Sequence, residues 1–147
     1  MPTAGKLFGA IIFTLVGFLA AEVMKPFLNG ADARSYISEF SALVGCYAGW
    51  RVMGPRAEGT RQSAILGGLK TSFTLAIWLL MLFAIWEMLS RAVDGRYKTV
   101  THAIEGIFTA MLEYGEQLVV AFPTIFVLAI GGVIGGIFTN WAAARWP

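Results

Sequence analysis

Apolar and polar positions divide the chain into long greasy runs separated by short polar breaks. The stretch 71–89, TSFTLAIWLLMLFAIWEML, carries no charge before Glu87. At about 1.5 Å per residue, about 20 apolar residues cross the hydrocarbon core of a bilayer. Drawn from 64 to 89, this run predicts a spanning helix that is apolar on every side, for which a water-soluble domain has little use. The run 7–24 predicts another, with Glu22 as its only charge and Lys25-Pro26 as its stop, because proline disfavours helix at the residue before it. A basic residue precedes this run as in a signal peptide. No small-x-small cleavage site comes before Glu22, so a retained helix is expected. The run 36–53 is the weakest, since its uncharged centre, 40–50, is bracketed by Glu39 and Arg51. Tyr36 and Trp50 placed as interfacial anchors make it a span, whereas its shortness also suits a re-entrant or interfacial helix. The longest uncharged run, 117–144, predicts a span at 118–143, with Pro123 marking its start or a kink.

A different period governs 99–116. Ile104, Ile107, Phe108, Met111 and Leu112 recur on one helical face, while His102, Glu105, Thr109, Glu113 and Glu116 fall mostly on the others. That pattern predicts an amphipathic helix along the membrane surface or against the bundle, with a polar face too acidic to seek anionic lipid. Asn29-Gly30, Gly54-Pro55 and Asp94-Gly95 mark the turns. The expected architecture is all-α: a single membrane domain of four transmembrane helices plus one interfacial helix before the last span. Gly45 and Gly49 form a G-x-x-x-G pair, and Gly131, Gly132, Gly135 and Gly136 form two overlapping ones, which predict close helix packing.

Composition strengthens the membrane reading and removes other classes. Of 147 residues, 57% are hydrophobic and 14% charged, against about 25% charged in ordinary soluble chains. A net charge of +2 without a basic block gives no footing for nucleic acid. One cysteine, Cys46, and one histidine, His102, supply no disulfide and no zinc cluster. Cys46, in mid-span, is expected to be a small buried apolar residue. Phosphate-loop, nucleophile-elbow and zinc-protease motifs are absent, and no histidine pair exists to ligate haem. A non-enzymatic protein without cofactor or metal is the expectation, with the lipid bilayer and other integral membrane subunits as its partners.

Four spans put both termini on one side, together with the loop 54–62. That side holds Lys6, Arg51, Arg56, Arg61, Lys70 and Arg145, and Glu58 is its single acid. The other side holds Lys25, Arg34, Arg91, Arg96, Lys98 and all the remaining acids. The positive-inside rule, with the acids as tie-breaker, then predicts cytoplasmic termini.

Glu22, Glu87, Glu113 and Glu116 all fall near outer helix ends. Gathered together they form a candidate ion or proton site, since ionisable groups at membrane depth often mark ion paths. The competing reading leaves each in the headgroup region, hydrated or paired with Lys25, Arg91 or Arg96. Arg51, Arg56 and Arg61 match the geometry of an oxyanion, but they are equally ordinary topology determinants.

Several strings carry a resemblance: the opening Met1-Pro2-Thr3-Ala4, Lys25-Pro26, the run GWRVMGPR at 49–56, Arg96-Tyr97, and Leu112-Glu113-Tyr114-Gly115. Through them the chain resembles the TrgA family over nearly its whole length, with GWRVMGPR the most specific part and 27–34 the least recognisable. The resemblance implies a small bacterial inner-membrane protein associated with tellurite resistance, and it carries over no catalytic or binding residue. Direct handling of tellurite fits the charges poorly, because a carboxylate-rich outer face repels an oxyanion. Two other roles are expected alternatives: an accessory subunit or assembly factor of a larger membrane complex, and a proton or cation carrier.

Overall fold

A computed structural model describes residues 4–28, 31–54, 59–95 and 99–146, with the backbone alone at 31–35. Among the described residues every regular element is helical. Helix α1 (Ala4–Met24) ends in a 3-10 turn, Lys25–Phe27, where Pro26 lacks the N–H that an α-helix needs. Helix α2 (Ala31–Ala48) runs into a π-helical turn, Gly49–Met53, within the GWRVMGPR string. Helix α3 (Arg61–Val93) starts at Thr60, whose side chain accepts from the Ser63 N–H at 3.4 Å. Helix α4 (Val100–Val120) is capped in the same way by Thr99 on the His102 N–H. Helix α5 (Phe122–Arg145) follows after one buried break residue, Ala121, with Pro123 in its first turn.

The Asp94-Gly95 turn holds Gly95 at φ +71°, the left-handed region where a side chain costs about 1–2 kcal/mol. Gly95→Val is therefore expected to lower stability by about that amount in a detergent-based unfolding titration. A variant matching the parent would show that the turn readily takes another form.

Small residues set the packing. A methyl group built on Gly9 would lie 2.9 Å from the Gly49 carbonyl oxygen, and one on Gly45 would strike the backbone of Phe13. Gly17 meets the Ser41 carbonyl in the same manner, so α1 and α2 run antiparallel in backbone contact over two turns and more. On α5, Gly131 and Gly135 face Val16, Ile12 and Phe13 of α1. The next residues round the helix, Gly132 and Gly136, face Gly68, Ser72 and Ala64 of α3. Helix α5 is thus a wedge between α1 and α3, antiparallel to both. Helix α4 lies antiparallel along the C-terminal half of α3, burying Gly106 and Ala110. The ends of the chain meet: Phe8 stacks on Trp146 at 5.9 Å, and the Asn140 amide donates to the Gly59 carbonyl at 2.9 Å.

The distribution of size is inside-out. Helix α1 buries Gly5, Gly9, Ala10, Gly17, Ala20 and Ala21 around Phe13 and Val16, and exposes Leu7, Ile11, Leu15, Phe18 and Leu19. Helix α5 likewise buries glycine and threonine while Phe126, Ile130, Ile134 and Phe138 face outward. Water would penalise such a surface, since monomeric soluble proteins rarely expose wide apolar patches.

Among the described residues three helical stretches are long and apolar enough to cross a membrane: Ala4–Phe27, Arg61–Val93 and Phe122–Arg145. Helix α2 is not among them, because its N-terminal half carries Asp32, Arg34 and Glu39. The helices that carry the runs 64–89 and 118–143 have their own bounds for a physical reason. Thr60 caps the start of α3, its other end closes on backbone bonds alone, and α4 claims the chain up to Val120. Cys46 is exposed rather than buried, since the buried side of α2 is taken by Ser41, Val44, Gly45 and Ala48.

Candidate functional site

The four flagged carboxylates divide into two groups. Glu22, at the end of α1, pairs with Lys25 one turn on and accepts from the Ser38 hydroxyl of α2 at 2.6 Å. This clip ties the end of α1 to the start of α2. It lies outside the cleft that gathers the other three.

Glu87 and Glu113 share one cation. Arg91 Nε donates to Glu87 Oε1 at 2.8 Å, one turn back on α3, and Nη2 donates to Glu113 Oε2 of α4 at 3.2 Å. The second oxygen of Glu87 accepts from the Tyr114 hydroxyl at 3.4 Å. Burial, followed by the charge of Glu87 and the hydrogen bond to it, pushes the Tyr114 hydroxyl up to about 12. Its ordinary value is about 10. A raised phenol stabilises the fold while neutral, so this contribution is complete below about pH 10 and fades as pH climbs through 12. Tyr114 therefore remains a donor at any physiological pH.

These residues wall an open cleft of about 540 Å³, completed by Phe27, Glu116, Gln117 and Val120. Phe27, at the end of α1, meets Glu87 and Arg91 in this cleft. Among the described residues no group of three His, Cys, Asp or Glu is placed to hold a metal ion. In the cleft the Arg91 guanidinium lies between Glu87 and Glu113, bonded to both.

The other flagged residues do not converge. Arg51 and Arg61 are exposed on the opposite end from the cleft, and Arg56 lies outside the described residues. His102 is exposed and stands 3.3 Å from Glu105 within the first turns of α4. The glycines at 45, 49, 131, 132, 135 and 136 all lie at helix–helix contacts, as described above.

Sequence reasoning missed two kinds of participant. Tyr114 was visible only as part of the LEYG string, and nothing in its spacing pointed to Glu87. Ser41 and Thr124 stand in apolar runs where nothing singles them out, yet both are buried beside a second, almost wholly apolar cavity. The chain matches no protein-family model, and neither curated proteins nor solved structures include a chain similar to it.

Proposed function

We propose that the chain is a non-enzymatic integral protein of a bacterial inner membrane, of the TrgA type, contributing to tellurite or envelope-stress tolerance. The observation that carries the membrane part is the inside-out packing: glycine, alanine and small hydroxyl residues within, leucine, isoleucine and aromatics without. Lipid tails are as apolar as those outer side chains, so such helices associate by close backbone approach instead of hydrophobic burial. Helix α2 crosses as the fourth span, escorted by α1 along its length, and both termini face the cytoplasm beside the arginine-rich loop. The resemblance in GWRVMGPR and its companion strings carries the physiological part.

The ion pairs favour anchoring over transport. Glu22 and Glu87 each hold a cation and a hydroxyl, and Glu113 shares Arg91, contacts that tie helix ends together. An accessory-subunit role draws support from one feature, the overhanging α3–α4 hairpin, where Val100, Ile104, Phe108 and Leu112 stay exposed.

Expression of the full chain in a tellurite-sensitive bacterium is expected to raise survival on tellurite. Unchanged survival, with the protein retained in a large complex after mild detergent extraction, would replace this reading by the accessory-subunit one. Glu87→Gln and Glu113→Gln are expected to leave ion flux in proteoliposomes unaltered, and a flux lost in both would restore the carrier.

A further inference from the structure

Helix α2 makes contacts of two kinds. It meets α1 through backbone, with Gly45 against Phe13, Gly49 against Gly9 and the Ser41 carbonyl against Gly17. It meets α3 through bulk instead: Tyr47 packs on Trp78 with ring centroids 5.5 Å apart, and Phe40 on Phe83 at 5.9 Å. Large side chains hold two helix backbones apart, and between α2 and α3 there is an open groove of about 370 Å³. Leu43, Val44 and Tyr47 form one wall, and Trp78, Met81 and Leu82 the other. Those positions fall at i, i+1, i+4 on α2 and at i, i+3, i+4 on α3, so each wall is one helical face.

Chemistry, depth and continuity each bear on what fills it. Among the described residues none of those lining the groove is charged, and its surface is almost wholly apolar. A peptide loop or a lipid headgroup would find no hydrogen-bond partner there, and an unmet polar group in such surroundings is costly. The walls lie within the charge-free stretches 40–50 of α2 and 71–86 of α3, the parts of a spanning helix that hydrocarbon surrounds. The mouth continues the outward side of α3, where Phe73, Ile77 and Met81 are exposed at four-residue steps on a helix long and apolar enough to cross a membrane. Leu43 and Tyr47 are exposed on the opposite lip. A second helix is a poor occupant, because close helix approach in membranes uses small residues and the smallest here is Val44.

We propose that this groove holds one acyl chain of a bilayer phospholipid, as a site distinct from the freely exchanging lipid around the bundle. A chain lying there touches both walls at once and makes more dispersion contacts than on a single helix face. The groove volume falls within the range of small-ligand sites, about 300–1,000 Å³. The inference rests on the membrane reading with α2 as a span, and not on tellurite tolerance.

Native mass spectrometry of the full chain, extracted in mild detergent, counts the phospholipids that stay bound. The parent is expected to retain about one per chain. Leu43→Trp and Met81→Trp, made separately at the exposed lips, put an indole into the groove and are expected to cut that occupancy at least about tenfold. Ile130→Trp, on the outward face of α5, is expected to leave it unchanged. Equal retention in all of these proteins, or none in the parent, overturns the site. So does a two-chain species that Leu43→Trp dissociates, because a second copy is then the occupant. Should the variants fail to fold, a phospholipid carrying a photoactivatable diazirine on its acyl chain tests the unsubstituted chain in proteoliposomes. It is expected to label Tyr47 and Met81 in preference to Ile130 and Ile134, and even labelling counts against the groove. A chain that stays folded in water without detergent would sink the membrane reading itself, whereas a detergent-bound chain without retained phospholipid sinks only the site.

Discussion

Gly68→Leu is expected to cost the bundle about 3 kcal/mol or more, enough to abolish a stable folded state in mild detergent. A Cβ at Gly68 would strike the Gly132 carbonyl oxygen and come within 2.9 Å of the Gly136 nitrogen. Both obstacles are backbone, so no rotamer change relieves the clash, and α3 must move away from α5. Overpacking in soluble cores costs about 1–3 kcal/mol where side chains are free to shift, and here they are not the obstacle. Gly115→Ala supplies the contrast, because a Cβ there meets nothing within 4 Å. In a helix that change is expected to stabilise by about 0.5–1 kcal/mol. Thermal unfolding of the two variants beside the parent decides the matter. A Gly68→Leu midpoint within a degree or two of the parent would mean that the α3–α5 contact is loose.

Arg91→Met is expected to cost about 1–3 kcal/mol, the second largest single effect. Exposed pairs contribute about 0–1 kcal/mol, and removing one partner of a buried pair costs about 3–5. The side chains of Arg91, Glu87 and Glu113 are 27%, 31% and 49% exposed, which places this cluster between those limits. Most of the loss comes from Glu87, left without its cation beside Tyr114. Glu87→Gln added to Arg91→Met should then recover part of it, since a neutral amide needs no counter-ion. Additive losses in that double-mutant cycle would show that Arg91 acts through its aliphatic packing instead.

Much of the helical architecture was legible before any coordinates, because apolar length and an absence of charge are the requirements for crossing a bilayer. The α4 helix was readable from the recurrence of Ile104, Ile107, Phe108, Met111 and Leu112. Boundaries were not, since Thr60 and Thr99 extend helices by local capping that a hydropathy average ignores. The glycine pairs announced themselves at 45/49 and 131–136, but their partners did not. Gly9 and Gly17 stand eight apart with Phe13 between them, and Ala64, Gly68 and Ser72 form a mixed series with no repeated letter. What matters at those positions is the lack of bulk, which several residue types share. The carboxylates were visible as a group because they are scarce in this chain. Their division was not, for it depends on Ser38 and Arg91, whose positions relative to Glu22 and Glu87 follow from helix pairing. Ser41 and Thr124 offered no signal at all, since a hydroxyl in an apolar run usually satisfies itself on its own helix.

The two glycine faces of α5 also constrain biosynthesis. When α1, α2 and α3 have left the ribosome, the grooves at Val16 and at Gly68 still lack the helix that fills them. Without α5, α3 would keep α4 as its main neighbour and α1 would keep α2. Docking of α5 closes both grooves in a single step, so a chain ending before it lacks the helix that joins α1 to α3.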